Sequence, residues 1–151
     1  MAGVEMTVEI DRDDRRRIDA MFDRFTDKQQ TRLLKLLADA GEEQTRTRIR
    51  DQEGPPNGGS WAPLSPDYVV QKRKRSTGGI LSLTGNLEDS IEAFLNPDGE
   101  AGWGSRLEYS AIHQFGGRHI QARPYLGISQ QNLEDMEAIA TEYYEKLIAA
   151  Q

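Results

Sequence analysis

L-S-L-T-G-N-L-E-D-S-I at 81–91, W-G-S-R-L-E-Y-S-A-I-H-Q-F-G-G at 103–117 and H-I-Q-A-R-P-Y-L-G-I-S at 119–129 hold most of the turn chemistry of the chain and both of its histidines. Ile91, Ala93 and Leu95 alternate with Glu92, the period of a strand with one buried face. Asn96-Pro97-Asp98-Gly99 is a turn signal, and 101–105 returns with Trp103 pointing inward. Residues 90–105 are therefore predicted as a hairpin. Before it, 87–91 reads as a brief helix or the approach to a strand. After it, Ala111, Ile112 and Phe115 predict a short helix packed on the hairpin, ended by Gly116-Gly117. Residues 119–122 read as another strand, and 123–127 as a turn leading out.

Working outward, Ser129 caps a helix whose Leu133, Met136, Ile139, Ala140, Tyr143, Tyr144, Leu147 and Ile148 recur at three- and four-residue steps. This amphipathic pattern is expected to cover the sheet. At the other end, Val4, Met6, Val8 and Ile10 alternate with polar residues and predict an N-terminal strand. Ile18, Met21, Phe22 and Phe25 form one apolar stripe of a first helix, with acids at its start. Its Arg15, Arg16 and Arg17 read as a solvated face ahead of a nucleic-acid contact.

Thr26 caps a second helix running to about Arg50, with Leu33, Leu34, Leu36, Leu37 and Ala40 on the buried side and Gly41 as a local weakness. Two prolines and three glycines make 51–60 a flexible loop. Trp61 and Leu64 are expected to pin that loop to the body. Ser65 caps a third helix with Pro66 at its first position and Tyr68, Val69 and Val70 facing inward. The fold class is α+β. A small antiparallel sheet (N-terminal strand, hairpin at about 90–105, strand at about 119–122) packs against long helices, one of them C-terminal, within a single domain over 1–151.

A length of 151 residues suits one domain, and 29% charged against 36% hydrophobic residues fits an elongated or oligomeric protein at least as well as a lone globule. With no cysteine there is neither a disulfide nor a thiolate metal site. No apolar run reaches the length of a membrane span, and the N-terminus lacks the apolar core of a secretory signal, so synthesis in the cytoplasm is the expectation.

Net charge is uneven. Residues 1–60 carry 13 acids and 11 bases, 61–85 one acid and four bases, and 86–151 11 acids and four bases. The four bases of the middle segment are Lys72, Arg73, Lys74 and Arg75. Such a run needs water, an acidic neighbour or nucleic-acid phosphates around it; solvation or pairing between subunits is read ahead of DNA. Opposite-signed patches on one small chain suit head-to-tail contact between copies.

No catalytic constellation emerges. His113 and His119 flank a Gly-Gly turn, and with Glu108 they lack any metal-ligand spacing, so they read as structural. There is no G-x-S-x-G, no phosphate-binding loop and no dinucleotide fingerprint. No cofactor is expected, and the chain reads as a non-enzyme.

Four strings taken together carry a resemblance: W-A-P-L-S-P-D-Y-V-V-Q-K at 61–72, I-L-S-L-T-G-N-L-E-D-S-I at 80–91, E-Y-S-A-I-H-Q-F-G-G at 108–117 and I-Q-A-R-P-Y-L-G at 120–127. In that order they resemble the phage virion morphogenesis family, which includes tail completion proteins and is similar to neck proteins of tailed phages. The resemblance implies a structural part of the virion at the head–tail junction, made in the bacterial cytoplasm. It implies rings of identical copies, six-fold because the tail is. The partners it implies are head–tail connector, tail terminator or tail tube proteins, with passive contact to genomic DNA in the channel and none to membrane. It brings no catalytic residues. The matching positions read as turns and anchors: Gly85, Gly116 and Gly117 for tight backbone paths, Pro124 and Tyr125 at the exit turn, and Tyr109, Ile112 and Phe115 filling the space beneath.

Overall fold

The computed structural model describes residues 4–5, 12–23 and 25–150. The elements in chain order are β1 (Val4–Glu5), α1 (Arg12–Phe22), α2 (Asp27–Arg50), α3 (Pro66–Arg73), α4 (Asn86–Asp89), β2 (Ile91–Leu95), β3 (Ala101–Ser105), α5 (Ser110–Phe115) and α6 (Gln130–Ala149). The class is α+β. The expected strand beyond Glu5 and the side chains of Ile18, Met21 and Phe22 lie outside the described residues.

The three strands form an antiparallel sheet in the order β1-β3-β2, so β3 is central. The hairpin pairs Ile91 with Ser105 and Leu95 with Ala101 around the 96–99 turn. Phe94 lies over its cross-strand partner Gly102, where an added Cβ would sit 2.7 Å from the ring. The outward edge of β2 is closed by side chains of α2. Glu42 accepts the Ala93 N–H at 2.7 Å, and Arg46 donates to the Ile91 carbonyl at 2.8 and 3.2 Å. Carboxylate and guanidinium also pair with each other at 3.3 Å, so the Ile91–Ala93 part of that edge is blocked to another strand.

Helix α2 organises the core. Thr26 and Gln29 form a reciprocal capping box at its start, and at about 1.5 Å per residue its 24 residues make a rod of roughly 36 Å. Its buried positions are Leu33, Ala38, Gly41, Thr45, Arg48 and Ile49. That stripe is rotated from the leucine-rich one the sequence suggests, and Leu36 is exposed. The cause is Trp103. Its indole lies against the bare backbone of Gly41, where a Cβ would be 2.4 Å from ring carbons, and its N–H donates to the Thr45 hydroxyl at 2.9 Å. Gly41 is thus the gap that seats the largest side chain of the sheet. Ile49, Leu87, Ile91, Tyr125, Leu126 and Met136 complete the core.

Helix α6 runs along α2 and does not cover the sheet. The two helices are antiparallel: Gln44 near the end of α2 donates to the Asn132 carbonyl at 3.2 Å, and Tyr143 near the end of α6 donates to the Gln29 carbonyl at 2.7 Å. The Phe25 and Tyr144 rings meet at 5.0 Å between centroids. Of the eight apolar positions in its repeat, Met136 is buried, whereas Leu133 and Ile148 stay exposed.

No strand forms at 119–122. Gly117 and Ile120 bridge each other in a tight turn, with N–H···O distances of 2.8 and 3.3 Å. The extended segment that follows satisfies its backbone through side chains. Gln114 accepts from the Tyr125 and Leu126 N–H groups at 2.9 and 3.0 Å and donates back to the Leu126 carbonyl at 3.1 Å. Alternating residues here signal an extended chain, and one glutamine takes the place of a neighbouring strand. Through this clasp α5 sits on 123–126 and touches β1, where the sequence had suggested packing on the hairpin.

Candidate interaction groove

A groove of about 920 Å³ opens beside this core, within the roughly 300–1,000 Å³ of ordinary binding pockets. One wall is the 63–72 segment with α3, the floor is 80–87, and the far wall comes from Tyr109 and His113 of α5 with 119–123. Leu64, Ile80, Leu81, Leu83 and Leu87 supply apolar surface, while Tyr68, Tyr109 and Ile120 stand on it about 40% exposed. Among its lining residues there is no carboxylate, while Lys72, Arg123, His113 and His119 are all present. A smaller adjoining hollow shares Leu64, Lys72 and Ile80 and adds Arg73.

The framework beneath is built from buried polar ties. The Trp61 indole is buried and donates to the Pro124 carbonyl at 2.7 Å. Arg123 donates to the Ala62 and Pro63 carbonyls at 2.7 and 2.9 Å, so the ends of the two walls are joined by one guanidinium. Gln52 binds the floor: its side chain accepts from Ile80 N–H at 2.7 Å and donates to the Ile80 and Ile49 carbonyls at 2.8 and 2.7 Å. Leu81 has a φ of 63°, a left-handed conformation that costs a leucine energy and that the surroundings must hold in place.

Arg48, in the last turn of α2, is a tie that the sequence reading did not single out. It is 1% exposed. It donates to the carbonyls of Tyr125 and Gly127 at 2.6 and 3.3 Å and to Asn132 Oδ1, joining α2, the exit turn and the start of α6. Burial holds its pKa below the ordinary arginine value, against a weaker opposing pull from Glu53. The available signal was the 38–41–45–48 spacing, which continues the buried stripe onto it. Tyr125 is fully buried and donates to the Ser110 carbonyl at 3.0 Å; burial pushes its phenol upward, with the Ser110 side chain pulling more weakly the other way.

The predicted residues divide sharply. Lys72 is 6% exposed and its ammonium binds the Gly79 carbonyl, so it leaves the proposed surface run and closes the end of α3 instead. Burial first and the Arg123 charge second hold its pKa below the lysine norm. Arg73, Lys74 and Arg75 are exposed, and none of them has an ion-pair partner among the described residues. Tyr68 and Val70 face outward, since α3 is a one-sided helix against a groove, and only Val69 is half-buried. Pro66 takes the first position of α3 behind the Ser65 cap, and Leu64 is half-buried in the groove wall.

Gly85 and Gly116 have φ near 80°, a conformation that favours glycine, and a Cβ on Gly116 would press within 3.0 Å of the Ala122 nitrogen. Gly117 lies outside the left-handed region and has room for a side chain. Tyr109, Ile112 and Phe115 do not fill a core: they are 41%, 40% and 70% exposed, because the space beneath α5 is already taken by Gln114, Ser110 and Tyr125.

His113 is half-buried, and its ring meets Tyr109 edge-on at 5.7 Å. Burial, reinforced by Arg123, holds its pKa below the ordinary histidine value. His119 is exposed. Among the described residues no group of three or more histidines and carboxylates is placed to hold a metal, and no helix is long and apolar enough to cross a membrane.

The four strings at 61–72, 80–91, 108–117 and 120–127 thus converge on one groove and its supports. A relative in Haemophilus influenzae, the Mu-like prophage FluMu G protein 1, is 31% identical over 99 residues, covering 64% of this chain and 67% of that protein. No solved structure matches significantly. The profile of the phage virion morphogenesis family matches residues 13–145, nearly the whole described fold, and the chain belongs to that family.

Proposed function

We propose that this protein acts at the head–tail junction of a tailed phage, as a ring-forming tail completion or neck component that joins the tail to the filled head. Family membership gives the coarser role, a phage protein of virion morphogenesis. The observation that carries the finer reading is the placement of the family-like strings: they support an open apolar groove with cationic lining and no carboxylate, a surface suited to binding a protein partner.

The protein works without chemistry on a substrate. It contributes a rigid wedge of α2, α6 and the hairpin, and exposed contact surfaces for neighbouring copies and for connector or tail proteins. The exposed Arg73, Lys74 and Arg75 face an acidic neighbour or, passively, genomic DNA in the channel. A free nucleic-acid-binding accessory role is the weaker reading, because Lys72 is withdrawn from the basic run and the chain is acidic overall, at a net charge of −6.

The test is genetic and biochemical. Lysates of a phage lacking this gene are expected to contain filled heads and separate tails, and purified protein added back should restore joining. Normal infectious yields without the protein would remove the reading.

A further inference from the structure

The groove and α6 carry opposite charge. Helix α6 contains five carboxylates, Glu134, Asp135, Glu137, Glu142 and Glu145, all exposed, against one lysine, Lys146, which is already paired with Glu142 at 2.7 Å. Its inner side meets α2 through Asn132 and Tyr143 and carries the buried Met136. On the opposite side, Glu134, Ala138, Thr141, Glu145 and Ile148 form an exposed stripe at four- and three-residue steps, about 21 Å long. Small residues lie at its centre and acids on and around it, so the stripe presents a low ridge flanked by negative charge. The groove presents the complement: an apolar floor, Tyr68, Tyr109 and Ile120 on the walls, and Arg73, Lys74 and Arg75 at the adjoining end of α3.

Resting on the ring reading above, we infer that the groove of one copy receives the outward stripe of α6 from the next copy. The two surfaces share no residue, and made once between each pair of copies the contact is head-to-tail. Such a contact generates a closed ring if its rotation closes and a filament if it does not, whereas a self-complementary contact would stop at a dimer. The edge of β2 is a poorer candidate, because Glu42 and Arg46 already occupy the Ala93 N–H and the Ile91 carbonyl. Charge complementarity sets the polarity of the chain of contacts and disfavours groove-to-groove and stripe-to-stripe pairing.

Two measurements test this. The first is native mass with charge reversal. R73E/R75E on the groove side and E134K/E145K on the α6 side should each weaken assembly roughly tenfold or more, and a chain carrying both reversals should recover it. The second uses the absence of cysteine from the natural chain. A variant with I120C and A138C, treated with a short bifunctional maleimide, should yield a ladder of linked copies, and neither single variant should pass a linked dimer. A wild-type oligomer whose mass is unmoved by either reversal, with no ladder from the paired cysteines, would overturn this contact and leave the ring reading intact. A wild-type chain that stays monomeric at all concentrations and beside its tail partners would overturn the ring reading itself, and this contact with it.

Discussion

Two regions of this small protein solve the same packing problem in opposite ways. Around α2, large apolar and polar side chains are enclosed together: Trp103 sits on Gly41 and bonds Thr45, and Arg48 meets three acceptors in a site that is 1% exposed. Around the groove, Tyr68, Tyr109, Ile112, Phe115 and Ile120 remain at 40% exposure or more, and Arg73, Lys74 and Arg75 have no ion-pair partner among the described residues. The first region is complete within one chain. The second leaves apolar surface and charge open among the described residues, and it is the surface we propose a neighbouring copy covers. Stability therefore resides in one region and the proposed association in the other, and substitutions should separate the two properties.

The largest effect is expected from Trp103→Ala, which empties the seam between α2 and the sheet. It should cost about 3–5 kcal/mol in chemical denaturation. Arg48→Met comes next: it leaves the Tyr125 and Gly127 carbonyls and Asn132 without their donor, at a cost of roughly 3 kcal/mol. Gly41→Ala is the sharpest test of the core, because two effects oppose. Helix propensity favours alanine by about 1 kcal/mol. The new methyl meets the Trp103 ring, and overpacking costs roughly 1–3 kcal/mol. The net change should be destabilising; a stabilised variant would show that Trp103 is not seated there.

A smaller effect follows from His113. Its pKa is depressed in the fold, so between that value and about 6.5 the unfolded chain binds the extra proton. Its contribution to stability is full above pH 6.5 or so and is lost as pH falls through the folded value. Urea midpoints measured downward from pH 7.5 should fall less steeply for His113→Gln than for the wild type. The smallest effect on stability belongs to the groove. Tyr68→Ser with Ile120→Ser should move the folding free energy by no more than about 0.5 kcal/mol at each site, while assembly is impaired. Loss of stability comparable to Trp103→Ala would erase the distinction between the two regions.

Period and turn chemistry made much of the fold legible. The hairpin followed from alternation around Asn96-Pro97-Asp98-Gly99, and the caps of α2, α3 and α6 from Thr26, Ser65 and Ser129. What could not be read was long-range geometry. Gly41 looks like a defect until Trp103 is placed on it. The 119–122 stretch reads as a strand, but Gly117 and Ile120 close it into a turn, and Gln114, Trp61 and Arg48 take up the backbone groups of the 124–126 segment that follows. Lys72 belongs by sequence to a run of four cations, and its position on α3 turns it inward to Gly79. Alternation and amphipathicity show that a residue has an apolar or polar side; they do not show whether its own chain or a neighbour covers it, which is why Phe115 and Tyr109 read as core.

The most direct measurement is a reconstruction of the finished particle by electron cryomicroscopy. Density for this chain should form a ring between head and tail, with the groove of each copy covered by α6 of the next. A particle that lacks the protein, or one in which every groove faces open solvent, would contradict the account.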